Sequence, residues 1–178
     1  VEVIDSDFVN AFAFPGGTIL IFRGLLDKSP SADGLAGVLA HEMQHVMHQH
    51  GTVNLLRQIA LSGIFKLLSG EAGSLAKAFF DGIHILSILK YTRQLEEEAD
   101  ESALKLLIKN RIDPTAMIRI YQVLSKHSSS LPEAFSTHPD MSSRLERLGN
   151  LIQQESEFKS SSIIKQNHWE SLQNICQN

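Results

Sequence analysis

The chain has 178 residues with a formal net charge of −4, and 43% of them are hydrophobic and 20% charged. That length suits one domain with a core of useful size, and the absence of any dense Lys/Arg block excludes a nucleic-acid partner held by phosphate neutralisation. Cys176 is the single cysteine, so no internal disulfide can form and any metal site must rest on histidines and carboxylates.

The chain opens in mid-pattern at Val1 and reads as a fragment or processed form, so an upstream signal or anchor is not observable in it. Its most apolar region, Val53 to Leu89, is interrupted by Arg57, Lys66, Glu71, Lys77 and Asp81. No uncharged run approaches the roughly 20 residues needed to cross a bilayer.

The first 22 residues are the strand-like part. "VEVID" reads as a strand, and "NAFAF" and "TILIF" flank a Pro-Gly-Gly turn, the pattern of a β-hairpin. From Pro30 onward the pattern is helical. Ser31 or Asp33 can cap a helix over 31–50, with Gly51 as its stop; Leu35, Val38, Leu39, Glu42 and Val46 share one stripe. Val53 to Leu68 and Leu75 to Lys90 read as two amphipathic helices, the second continuing or restarting through "RQLEEEADESALKLLIK" to give a helical segment over 75–109. Asp113-Pro114 opens a helix to about Lys126. "SSSLPEAFSTHPD" is a loop, Asp140 can cap a helix through Leu151, and "KSSS" is a short linker. The last helix, "NHWESLQNIC", starts with Asn167 and Glu170 as a capping-box-like pair and would dock through Trp169, Leu172 and Cys176. The expectation is a single α+β domain over 1–178 with a small N-terminal sheet edge, a mostly helical body and C-terminal helices over 140–178.

The stretch "LAHEMQHVMHQH" holds His41, His45, His48 and His50, with Glu42 after the first. His41-Glu42-Met43-Gln44-His45 is an HExxH motif. Residues four apart share a helix face, so two imidazoles can reach one ion, while Glu42 falls about 100° round, beside the ion rather than on it. A catalytic zinc needs a third protein ligand and an open fourth position. His41 and His48 would lie about 10 Å apart along a continuous helix axis, too far for two ligands that must each come within about 2.1 Å of the ion. The metzincin solution needs a glycine at position 48 and a histidine at position 51; this chain has His48 and Gly51. His48 and His50 therefore read as helix-end residues, favourable near the negative end of the dipole. "YTRQLEEEAD" offers a better donor. Glu96 can supply a carboxylate oxygen, and Asp100, one turn on, can accept the N–H of a ligand histidine and fix its tautomer. Ala99 and Ala103 keep that face small enough for another helix to approach. Glu97, Glu98 and Glu101 read as a solvated acidic face.

HExxH followed by ExxxD resembles the gluzincin arrangement, and the flanks resemble one branch of it: the HtpX-like and Oma-type zinc peptidases with the CAAX prenyl endopeptidase, family forty-eight of the metallopeptidases. "VNAFAFPGGTILIFRGLL" is similar to the family's edge strand and hairpin, "LAGVLAHEMQHVMHQH" to its active-site helix, and "YTRQLEEEAD" to its third-ligand segment, with Thr92 where serine is usual. "STHPDMSSRLERL" is similar to its His-Pro segment with a following arginine, and "NHWESLQNIC" to the tail of its soluble members. The family's membrane helices have no counterpart here, which implies a soluble or peripheral member; the amphipathic interval is compatible with contact at a bilayer surface.

The resemblance implies a zincin-like fold and one zinc ion per chain, held by His41, His45 and Glu96, with Asp100 behind them. It implies an endopeptidase acting on protein or peptide substrates, in which zinc activates a water and Glu42 takes its proton. Substrate would lie along Asn10, Ala11, Phe12 and Ala13, paired by backbone. His138 and Arg144 fall where the family places groups facing the zinc. Pro139 keeps His138 out of a helix, and this histidine could serve either as a donor to the transition state or as an inhibitory ligand filling the open position. The alternative function is a zinc-binding, chaperone-like module of protein quality control with little turnover; retention of Glu42 argues for the enzyme. The resemblance also suggests the bacterial periplasm or cell envelope. The natural substrate and oligomeric state are not legible.

Overall fold

The computed structural model describes residues 1–69, 91–127, 138, 140–155 and 160–174. Its elements, in chain order, are β1 (Glu2–Ile4), β2 (Ala11–Ala13), β3 (Ile19–Phe22), α1 (Arg23–Lys28), α2 (Ala32–Met47), α3 (His50–Ser69), α4 (Arg93–Lys109), α5 (Thr115–His127), α6 (Met141–Gln154) and α7 (Gln166–Gln173). This is the expected α+β architecture, a small sheet beside a mostly helical body. Among the described residues no helix is long and apolar enough to cross a membrane.

The hairpin forms where the Pro-Gly-Gly signal lies. β2 and β3 pair antiparallel with Ala11 opposite Ile21 and Ala13 opposite Ile19. Gly16 and Gly17 take φ of 96° and 93°, a region closed to most side chains, and the turn is tied by Phe14 N–H donating to Thr18 O at 2.8 Å. β1 adds to β3 in parallel, so the strand order is β1-β3-β2 and, among the described residues, β2 is an edge.

Helix α2 lies at the centre. Ser31 caps it, its hydroxyl accepting from Gly34 N–H at 3.1 Å. It packs most extensively on α4 and α5 and also touches β2. Two features permit that closeness. Ala99 and Ala103 on α4 are fully buried, and Gly37 on α2 faces α5 so tightly that an added Cβ would lie 2.8 Å from Met117 Cβ. Val38, Leu104, Leu107, Met117, Ile120 and Leu148 fill the shared core.

Several sequence expectations need correction. Arg23–Lys28 forms a short helix that the hairpin reading ran past. Gly51 is not the stop of α2: the chain breaks at Gln49, with φ 57°, and Gly51 lies in the first turn of α3. Of the two readings left open for the third-ligand helix, a separate start fits: it begins at Arg93, where Thr92 is extended and its hydroxyl accepts from Leu95 N–H at 3.4 Å. Asp140 stands at the N-cap of α6 but makes no capping bond; its carboxylate pairs with Arg93 instead. The last helix begins after Lys165, so Asn167 and Glu170 do not form a capping box. Trp169 docks that helix, 2% exposed and donating from Nε1 to Ser29 O at 3.2 Å, whereas Leu172 is 45% exposed. The expected helix over 75–90, most of the Ser-rich loop, Pro139 and Cys176 lie outside the described residues.

The α2–α5 contact gives a direct test. Gly37→Ala forces the two helices apart and should destabilise the fold by about 1–3 kcal/mol, the usual cost of overpacking. Thermal unfolding should show a Tm lower by roughly 3–10 °C; an unchanged Tm would mean that the helices separate without cost.

Candidate metal centre

His41 and His45 project from one face of α2 and are 3% and 1% exposed. Their Nε2 atoms are 2.9 Å apart. Helix α4 brings Glu96 against them, with Oε2 at 3.5 Å from His41 Nε2 and Oε1 at 3.4 Å from His45 Nε2. From the segment before α6, His138 places Nδ1 at 3.0 and 3.1 Å from the two Glu96 oxygens and 3.4 Å from His41 Nε2. These four ligand atoms lie within 4.8 Å of one another. A tetrahedral ion with ligands at about 2.1 Å requires ligand-to-ligand edges of about 3.4 Å. The donor set therefore fits one such ion.

Behind the donors lies a layer that orients them. His41 Nδ1 is 2.8 Å from Asp100 Oδ1. Asp100 in turn accepts from Arg144 Nε at 2.7 Å, from Arg144 Nη2 at 2.8 Å and from the Tyr121 hydroxyl at 3.2 Å. Arg144 Nη1 also reaches Glu96 Oε2 at 2.5 Å. On the other side, His45 Nδ1 is 2.8 Å from His50 Nδ1, and the His45 ring is stacked on Tyr91 at 3.8 Å and 11°. Each of the two histidines thus has a polar atom 2.8 Å from its second nitrogen, the kind of neighbour that metal-bound imidazoles usually have.

The charge balance points the same way. Glu42, Glu96 and Asp100 are buried, and Arg144 is the guanidinium set among them. Three carboxylates against one guanidinium leave two negative charges, suited to a divalent cation. Burial lowers the proton affinity of the His138 imidazole, but Glu96 and Glu42 outweigh it and push its pKa up to about 10. The same contest leaves His41 above its ordinary value, with Asp100 and Glu96 overcoming burial. His45 is driven down to about 3 by burial and by neighbouring His41. Burial alone would raise Glu96 and Asp100; His138 holds Glu96 well below the carboxylate range, and Arg144 holds Asp100 at about 2.

Of the residues singled out in the sequence, His41, Glu42, His45, Glu96, Asp100, His138 and Arg144 come together at this one place. Glu42 Oε1 lies 3.3 Å from His138 Nε2, and its Oε2 is buried without a hydrogen-bond partner among the described residues. Arg144 faces the carboxylates rather than open space. Asn10, Ala11, Phe12 and Ala13 are all buried side chains, and a cleft opens at each end of their strand. One, of about 400 Å³, is lined by Asn10, His41, Glu42, His138 and Arg144; the other, of about 210 Å³, by Ala13, Phe14, His45 and Gly51. Three participants escaped the sequence reading. His50 is 3% exposed and opens α3, because the break at Gln49 turns it back onto α2. Tyr91 adjoins the third-ligand segment, a position that could have flagged it. Tyr121 sits one turn after Met117 on α5, and its phenol gives no signal apart from core spacing.

Comparison with known proteins matches residues 1–152 to peptidase family M48. Among curated relatives, the chain is 27% identical to the mitochondrial metalloendopeptidase OMA1 of Schizosaccharomyces pombe, covering 98% of this chain and 53% of the relative. It is 30% identical to the mitochondrial metalloendopeptidase OMA1 of Bos taurus, over 86% of this chain and 32% of that one. It is 32% identical to the beta-barrel assembly-enhancing protease of Escherichia coli K12, over 80% and 32%. The chain spans from about a third to about a half of the length of these relatives. With the family match covering most of its residues, the chain belongs to peptidase family M48.

Proposed function

We propose that this domain is a zinc-dependent endopeptidase that cleaves protein or peptide substrates, with zinc held by His41, His45 and Glu96 and with Glu42 as general base. The observation that carries this reading is the set of ligand-atom spacings, which match the edges of a tetrahedral site and have Glu42 buried beside them. When bound, the ion supplies Lewis acidity, lowering the pKa of a coordinated water and polarising a carbonyl.

The remaining chemistry belongs to the chain. Glu42 takes a proton from the attacking water and returns it to the leaving amine. Asp100 holds the proton of His41 on Nδ1, which keeps the Nε2 lone pair free for the ion, and Arg144 fixes the Asp100 and Glu96 carboxylates together. A substrate strand pairs with the free edge of β2. Asn10 supports this reading: its Oδ1 is committed to Ala11 N–H at 2.9 Å, while its Nδ2 is buried without a partner among the described residues and lines the larger cleft. A substrate carbonyl would satisfy it.

Of the two roles open to His138, the geometry favours the inhibitory one. Its Nδ1 stands among the ligand atoms and its Nε2 faces Glu42, so a single imidazole would occupy both the fourth coordination position and the base. We assign the domain to the cell envelope by resemblance, with peripheral membrane contact compatible with its exposed apolar residues on α2 and α3, and with no nucleic-acid partner.

Incubation with casein tests the function. Glu42→Gln should keep its zinc and its fold and lose cleavage by about 100-fold or more, because glutamine preserves the shape but cannot accept the proton. Near-normal turnover would require a different base, whereas wild type that binds zinc without cleaving casein would favour a chaperone-like module. Asp100→Asn should weaken zinc affinity about 10 to 100-fold, the usual cost of losing an orienting partner; unchanged affinity by chelator competition would remove it from that role. His138→Ala should retain zinc and raise kcat severalfold. A slower variant would make His138 a transition-state donor, and no change would leave it without either role.

A further inference from the structure

His48, His50 and Glu98 form a second group of potential ligand atoms, separate from the four donors of the metal centre. They come from three elements. His48 is the C-cap of α2, His50 opens α3 and Glu98 lies on the outer face of α4. The left-handed residue Gln49 between the two histidines brings their rings to 5.4 Å and nearly parallel, at 17°.

We propose that His48, His50 and Glu98 form a second site for a divalent transition-metal ion, and that an ion bound there weakens the hold of the inner centre on its own.

The spacing argues for a site rather than for simple ion pairs. His48 Nδ1 is 3.4 Å from Glu98 Oε1, and His50 Nε2 is 3.4 Å from Glu98 Oε2. Charge-assisted N–H···O contacts close to about 2.7–2.9 Å, so both pairs are too long for good direct bonds. They equal the roughly 3.4 Å edge of a tetrahedral site. The other nitrogen of His48 is engaged, with Nε2 3.1 Å from Ser102 Oγ. Such partners orient ligand histidines. The Glu98 side chain is 52% exposed and that of His48 33%, so an ion can enter from solvent. Two imidazoles and one carboxylate select zinc, nickel, cobalt or copper over calcium and magnesium, which take oxygen donors.

The coupling follows from proton counting and rests on the proposed inner centre. To ligate through Nε2, neutral His45 carries its proton on Nδ1 and donates it to His50 Nδ1. His50 then carries its own proton on Nε2, the atom the outer ion needs. An ion on His50 Nε2 requires the other tautomer, whose Nδ1–H would meet the His45 proton head-on across 2.8 Å. The bond between the rings is lost and His45 loses its orienting partner. By linkage, each ion weakens the other equally.

The test uses the full chain, stripped with a chelator and titrated with Zn2+ against a chromophoric competitor, with metal counted after equilibrium dialysis. Wild type should take up two equivalents, His48→Ala and Glu98→Gln one each with unchanged circular dichroism, and Glu96→Ala should lose the tight equivalent and keep the weak one. Filling the outer site should weaken the inner one roughly fivefold or more, the low end of usual coupling between sites, and His48→Ala should abolish that effect. One equivalent in wild type, or two in both outer-site variants, would overturn the site. Equal inner affinity with the outer site full or empty would overturn the coupling. Two equivalents retained in Glu96→Ala would instead sink the inner-centre assignment and leave the outer site standing.

Discussion

Everything in the centre depends on Arg144. Glu96 and Asp100, one turn apart on α4, are 0% and 2% exposed, and two carboxylates so buried would not stay ionised without a cation among them. Arg144 reaches both, with the fork geometry that a lysine could not supply. Removing it would leave uncompensated charge rather than merely one fewer contact. The guanidinium comes from α6, the carboxylates from α4 and the imidazole that Asp100 holds from α2, so this one ion network fixes the three helices in register. The small residues at the interfaces, Ala99, Ala103 and Gly37, are what bring the backbones close enough for such short side chains to meet.

The sequence made His41, His45, Glu96 and Asp100 legible because each lies on a regular helix. Spacing of four puts His41 with His45 and Glu96 with Asp100, whatever the tertiary structure does. The errors cluster where the chain leaves regular geometry. A continuous helix through His50 was the premise that set His48 and His50 aside, and the premise fails at Gln49, a residue with no special claim to a left-handed conformation. Glycine was the expected breaker, and Gly51 stood nearby to draw the assignment. Asp140 shows the same pattern: it stands at the cap position, but a long-range pair with Arg93 takes its carboxylate. Tyr121 was unreadable for a different reason. A buried tyrosine is ordinary core until a polar partner is known, and that partner lies on another element.

The two ends of the HExxH helix serve different tasks. Its middle carries the proposed ligands and base, while its C-terminal break redirects the chain so that His50 returns under His45. A helix that ran on past Met47 would present the same ligands with one imidazole unsupported. The irregularity therefore sets the rigidity of the centre as much as the motif does.

The raised His138 and His41 carry a consequence for how the protein lives before it meets its ion. The carboxylates around these imidazoles raise their affinity for protons, most of all at His138, and loading an ion displaces protons from the nitrogens it takes. Protons and the ion therefore compete for the same imidazole nitrogens, so acidity and metal supply together set how far the centre is loaded.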